Sequence, residues 1–164
     1  VEGVALSSHL DKRKVSERMA DECRKCLETR GLTANIRILN DSNEAPVFEK
    51  AAVQAGAALA AWAETDTGCI IGADMAGALR RSAEFIGKHV AGNLMEDIQS
   101  SACSDRFLSD QLIPFAALAE GRSRIRIPKM TDHIESRLWL AKTILGAGVD
   151  VDGNIVQIDG IGHF

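Results

Sequence analysis

The chain has 164 residues, 46% hydrophobic and 26% charged, which is enough to bury a core and close to the average for a globular protein. Its formal net charge of -4 gives no support for non-specific nucleic-acid binding over the whole surface, although a local basic strip is compatible with it. No apolar run is long enough to cross a membrane as a helix, and the start lacks the basic-then-apolar order of a signal peptide.

Val1 to Ser8 is short and apolar, as a strand would be, and a chain opening at Val1 in mid-strand is expected to be a fragment of something longer. Val15, Met19, Cys23 and Leu27 recur at helical spacing, with Gly31 where a C-cap belongs. Thr33 to Leu39 alternates like a half-buried strand, and Asn40 to Pro46 is rich in turn formers. Phe48 to Gly56 has a composition that suits a helix, but a loop fits it as well. Ala57 to Glu64 and Cys69 to Gly72 read as strands joined through Thr65-Asp-Thr-Gly68. Ser82 to Ser100 is a long amphipathic helix carrying Phe85, Ile86, Val90, Leu94 and Ile98.

The stretch from Ser104 to Arg137 holds the chemistry. A helix containing Pro114 ends at Gly121, and a strand from Arg122 to Ile127 leads to Pro128-Lys-Met-Thr131-Asp132-His133. Beyond it, Ile134 to Leu145 reads as a helix stopped by Gly146 and Gly148, and Val149 to Ile158 as a hairpin turning at Gly153. The alternation of strands and helices predicts an α/β or α+β architecture in two parts. The seam falls within Gly72 to Arg81, giving domains of 1–75 and 76–164.

Several chemistries drop out. Cys23-Arg-Lys-Cys26 matches C-x-x-C, but it lies inside a helix pattern and no second pair completes a zinc site. Structural thiols in a reducing compartment are the plain reading of all four cysteines. Gly72 and Gly77 have the spacing of a phosphate loop, yet Ala78-Leu79 follow where Lys and Ser or Thr are required. Serine-hydrolase elbows and H-E-x-x-H signatures are absent.

Asp132 with Glu135 three residues on reads as an N-cap with a capping-box partner, which makes His133 the first helical residue. A helix start favours anions and disfavours imidazolium, and a neutral imidazole beside a phosphate is what a nucleotidyl nucleophile needs. The bland alternative is a surface or capping histidine. His9, His89 and His163 have no comparable surroundings and are expected to be solvated. Pro114 cannot donate to the carbonyl of Asp110, so the helix should bend beside a carboxylate and the amide of Gln111. Asp110 and Gln111 are either polar residues near a kink or acceptors for a purine or ribose; Phe107 is either core or a wall against a base. Arg124 and Arg126 fall on one strand face and Ile125 and Ile127 on the other, as a solvated face over a core or as a basic strip with Arg122, Lys129 and Arg137.

Taken together, these residues resemble the RNA 3'-terminal phosphate cyclase family. Asp105-Arg-Phe107-Leu-Ser-Asp110-Gln111-Leu-Ile-Pro114-Phe-Ala-Ala-Leu118-Ala-Glu-Gly121 is similar to the family's third-repeat signature, and Thr131-Asp-His133 to its Thr-x-His. Val4-Ala-Leu with Ser16-Glu-Arg-Met19-Ala resembles the opening of the family's inserted domain; Ala63-Glu64 to Gly72-Ala73, with Ala83-Glu84-Phe-Ile-Gly87, resembles its close. The resemblance implies an α+β fold: a partial cyclase-type βαβ-repeat large domain with a small inserted α/β domain. It implies ATP-dependent conversion of an RNA 3'-phosphate to a 2',3'-cyclic phosphate in the cytoplasm, His133 becoming a histidyl-AMP. Asp110, Gln111 and Phe107 would line the nucleotide site, and Mg2+ would accompany ATP.

The chain departs from the family pattern in three places. Ser136-Arg137 stands where Thr-Asn is common, Phe107 stands where Tyr or His is common, and the N-terminal half has no counterpart. The fragment alone is therefore expected to be almost inactive, with RNA 3'-phosphate ends, ATP and that missing half as its partners. The rivals are a catalytically inert cyclase-like scaffold in ribosomal RNA processing, against which the retained His133 argues, and a small-molecule ATP-binding module unrelated to RNA.

Overall fold

The computed structural model describes residues 1–163. In chain order its strands and helices are β1 (Glu2–Ser8), α1 (Val15–Glu28), β2 (Asn35–Asp41), β3 (Gly56–Glu64), β4 (Ile70–Ala76), α2 (Ala83–Gln99), α3 (Leu108–Leu118), β5 (Glu120–Arg126), α4 (Asp132–Leu140), β6 (Gly148–Asp152) and β7 (Ile155–Ile161). The fold is α+β, as the sequence implies. The chain divides into two compact units, Val1–Thr65 with Gly72–Met95, and Asp66–Ile71 with the chain from Glu96 on.

The first unit is a mixed sheet in the order β2-β1-β3-β4. β1 runs parallel to β2, with Ala5 opposite Ile38, because α1 supplies the crossover that parallel neighbours need. It runs antiparallel to β3, where Ala5 faces Leu59. α1 buries Met19, Cys23 and Leu27 of the stripe read from the sequence, together with Ala20, and leaves Val15 half-buried. α2 comes so close to α1 that a Cβ on Gly87 would lie 2.5 Å from the Met19 carbonyl oxygen. Only glycine permits that approach. This packing moves the seam: residues 76–95 belong to the first unit, so the division at 75 and 76 falls too early.

Residues 42–55 form no helix, which resolves the ambiguity at Phe48 to Gly56. Asp41 organises the segment. Its side chain is buried (1% exposed) and accepts from Ser8 Oγ (2.8 Å), Val47 N (2.9 Å) and Ala52 N (2.8 Å). A chain wrapped around one buried carboxylate satisfies its backbone there rather than in a helical ladder. His9 takes part as well, its Nε2 2.6 Å from the Ala52 carbonyl, so it is not the solvated ring expected.

The second unit packs α3 and α4 on an antiparallel sheet in the order β5-β7-β6. Its core includes Ile113, Ala117, Ile125, Ile127, Ile134, Leu138, Val156 and Ile158. Ile125 and Ile127 point inward and Arg124 and Arg126 outward, as the alternation predicts. The helix ahead of β5 stops at Leu118, and Gly121 lies within β5 instead of ending the helix. Gly160 makes the junction possible. A Cβ there would sit 2.1 Å from the Ala119 oxygen and 2.6 Å from the Ala116 oxygen. After Leu140, one π-helical turn, Ala141–Leu145, closes on Gly146 in the left-handed region.

Candidate functional site

Thr131 begins the site. Its backbone is extended (φ -133°, ψ 159°), and its hydroxyl accepts from Ile134 N at 3.3 Å. Thr131 is therefore the N-cap, and Asp132 is already helical. The expected cap and box are corrected: the capping-box position holds Ile134, and His133 is the second helical residue. A threonine in β conformation offers its oxygen to the amide three residues on, whereas Asp132 has helical backbone and cannot.

α4 buries Ile134 and Leu138. That stripe leaves His133 exposed on its flank, with Arg137 four residues on, on the same side of the helix. α3 buries Ser109, Ile113, Ala116 and Ala117, leaving Asp110 half-buried. Where the two helices pack, Arg137 Nε donates to Asp110 Oδ2 at 3.1 Å. The structure thus brings Asp110 to the helix face that carries His133, through Arg137. Gln111 is exposed, and Phe107, at the cap position of α3, is 53% exposed. Neither lies in the core, so the plain reading of Phe107 as a core residue does not hold. Pro114 sits inside α3 and leaves the Asp110 carbonyl without its usual donor.

The approach to α3 is rigidly wired. Asp105 Oδ1 accepts from Phe107 N and Leu108 N (2.9 and 2.8 Å), and the Ser104 and Ser109 hydroxyls meet at 2.9 Å. Arg106 is bound by Asp97, which is 1% exposed, through its backbone N, Nε and Nη2. These hydrogen bonds hold the Arg106 guanidinium above its ordinary pKa. Nothing in the sequence motifs pointed to this pair, nine residues apart, one in α2 and the other in the loop that follows.

The basic strip shrinks. Arg122 forks onto Asp159 (Nε–Oδ1 2.6 Å, Nη2–Oδ2 3.0 Å), which raises the arginine pKa and lowers the carboxylate. Arg124, Arg126 and Lys129 are the exposed cations left beside it. Two carboxylates, Asp132 and Glu135, occupy the first turn of α4. They complement the helix dipole and compete there with an incoming anion.

Among the described residues no group of three or more His, Cys, Asp and Glu side chains converges as a metal cage. Among the described residues Asp110 is paired with a guanidinium, so these residues do not fit a resident Mg2+. Phe107, Asp110 and Gln111 fall along one side of α3, and Asp110 meets the helix that starts at Asp132 through Arg137.

The cysteines are free. Burial pushes the Cys23 thiol up to about 12, and burial together with Glu22 raises Cys26, which is the behaviour of structural thiols. Among the described residues, no helix is long and apolar enough to cross a membrane.

Residues 1–99 match the family model described as RNA 3'-terminal phosphate cyclase, insert domain. The RNA 3'-terminal phosphate cyclase of Pyrococcus abyssi is 31% identical over 156 residues, covering 94% of this chain and 42% of the relative. That of Korarchaeum cryptofilum is 32% identical over 155 residues, covering 92% and 42%. That of Thermococcus onnurineus is 37% identical over 100 residues, covering 61% and 28%. The chain spans about two fifths of the length of the first two relatives.

Proposed function

The chain belongs to the RNA 3'-terminal phosphate cyclase family, and on that premise we propose that it forms part of an enzyme that converts RNA 3'-terminal phosphates to 2',3'-cyclic phosphates at the expense of ATP. In this reading an imidazole nitrogen of His133 attacks the α-phosphorus of ATP, and pyrophosphate leaves. A 3'-phosphate oxygen of RNA then takes the AMP from the histidine. The neighbouring 2'-hydroxyl closes on the phosphorus of the RNA 3'-phosphate, loses its proton and expels AMP. The protein's share is positioning and nucleophilic catalysis. Phe107 offers the base an apolar wall, while Gln111 and Asp110 offer an amide and a carboxylate to its edge or ribose. Arg137 fixes Asp110 in place. No step passes through a protein-held metal.

One observation carries the reading: His133 stands exposed on the first turn of α4, on the side where Arg137 ties that helix to Asp110 of α3. The chain alone is proposed to be nearly inactive, because the rest of the fold in its relatives would supply further contacts to ATP and RNA. A cytoplasmic location belongs to the same proposal, and four free thiols suit it.

The test joins this chain to the N-terminal part of the Pyrococcus abyssi relative and supplies ATP labelled on the α-phosphate. An acid-labile, alkali-stable protein adduct that His133→Ala abolishes is expected, followed by cyclisation of 3'-phosphate RNA. An adduct that survives His133→Ala removes the nucleophile assignment. No adduct at all would favour the inert scaffold, and adenylylation without cyclisation would favour an ATP module unrelated to RNA.

A further inference from the structure

We propose that the first unit carries a second polynucleotide site: an arginine-lined cleft that binds the phosphates of single-stranded RNA, with the Phe85 ring beside it stacking a base. The choice of RNA as the polymer rests on the proposed function; the site itself rests on this unit's own residues. The cleft has a volume of about 670 Å3, and Arg13, Arg18, Arg80 and Arg81 line it.

Two of the four arginines are engaged. Arg18 forks onto Glu84 (Nε–Oε1 2.7 Å, Nη2–Oε2 2.9 Å), and Arg81 Nη1 donates to the Ala76 carbonyl at 2.7 Å. The guanidinium groups of Arg13 and Arg80 are exposed and have no hydrogen bond or ion pair among the described residues. Lys12 and Lys14, also exposed, flank Arg13. No carboxylate is among the described residues that line the cleft, and Glu84, beside it, is paired with Arg18. The positive end of α2 opens here too: the Ser82 hydroxyl accepts from Phe85 N at 3.1 Å, and Ser82 lines the cleft.

A second hollow, of about 430 Å3, shares Arg80, Arg81 and Ser82 with the first and adds Phe85. That ring is 52% exposed, yet it is held flat by stacking on His89, with centroids 5.8 Å apart and planes at 17°. An exposed ring in a fixed orientation beside unneutralised guanidinium groups is the combination that single-strand binders use: cations for the backbone, a flat ring for any base. Two contiguous hollows with cations in both and a ring in one suit successive nucleotides better than one small anion. An acidic peptide would use the arginines and leave the stacked ring idle.

The test is fluorescence anisotropy of a short labelled single-stranded RNA against the whole chain over a series of salt concentrations. Arg13→Gln/Arg80→Asn, with asparagine chosen because Arg80 has φ +66°, should lower the slope of log K against log salt by about 1.4, at about 0.7 per phosphate contact. Arg13→Lys/Arg80→Lys should restore that slope. Phe85→Leu should weaken binding about five-fold or more at fixed salt and leave the slope unchanged. Unchanged affinity and slope in Arg13→Gln/Arg80→Asn would overturn the proposal, as would an unaffected Phe85→Leu. Displacement of the RNA by tripolyphosphate at equal concentration would reduce the cleft to a small-anion site and overturn it as well. Repeating the titration with His133→Ala separates the two readings: RNA binding retained where adenylylation is absent leaves this site standing, whatever becomes of the cyclase chemistry.

Discussion

Replacing Arg106 by methionine tests the wiring that sets the start of α3. Asp97 is buried, its side chain 2% exposed against 15% for Arg106. Its carboxylate receives Arg106 N at 3.0 Å, Nε at 3.1 Å and Nη2 at 2.8 Å. Methionine keeps the apolar stem and the backbone N–H but removes the guanidinium, leaving a buried carboxylate with one of its three donors. Removing one partner of a buried pair costs about 3–5 kcal/mol. For a chain of this size that corresponds to a fall in Tm of about 6–20 °C. Urea unfolding followed by circular dichroism measures it directly. The double variant Asp97→Leu/Arg106→Met should recover most of the loss, because two apolar residues leave no uncompensated charge. A single-variant loss below about 1 kcal/mol, on the scale of an exposed pair, would refute the reasoning, as would a double variant no more stable than Arg106→Met. On the proposed function, adenylylation by the chimera should fall in the single variant too, since Arg106 adjoins Phe107 in the loop that leads into α3.

Three further outcomes are expected. Thr131→Ala should cost about 1 kcal/mol of stability through the lost cap, while Asp132→Ala should cost less than that; thermal melts of the two variants distinguish the caps. Asp41 has its pKa lowered by the Ala52 and Val47 amides and the Ser8 hydroxyl, so its folded value lies below the unfolded one. Its stabilisation is therefore present above the ordinary carboxylate range and is lost as pH falls through the folded value. The stability gap between wild type and Asp41→Asn, measured by urea midpoints, should be widest at neutral pH and should narrow in acid. Cys23, with its thiol near 12, should resist iodoacetamide at mildly alkaline pH until the chain unfolds, whereas exposed Cys103 reacts at once; peptide mass spectrometry checks both.

Local pattern made most of this fold readable. The stripe Met19, Cys23 and Leu27 and the alternation through Arg124 to Ile127 are periodicities that one element imposes on its own residues, and both appear as read. What stayed hidden was set at a distance. The first unit runs on to Met95 within α2 because Gly87 lets that helix touch α1, and nothing near residue 87 announces its partner. Residues 42–55 avoid a helix because Asp41, outside the segment, collects their amides. The cap moved from Asp132 to Thr131 because both residues can cap, and only the backbone conformation chooses between them.

The site divides along the same line. Motif and position single out His133, Asp110, Gln111 and Phe107 as candidates, but not the contact joining the two helices, since in the sequence Arg137 reads as one more cation in a strip. Position 137 is also where this chain departs from the commoner family pattern, with arginine in place of asparagine. The exchange has a physical consequence. An asparagine can hydrogen-bond a carboxylate, whereas a guanidinium also neutralises it. With Oδ2 taken by Arg137 Nε, Asp110 meets a nucleotide as part of an ion pair and not as a lone anion. That reduces its repulsion of the phosphates a neighbouring His133 would have to approach. The departure that looks least conservative in the sequence is thus compatible with the chemistry the motif implies.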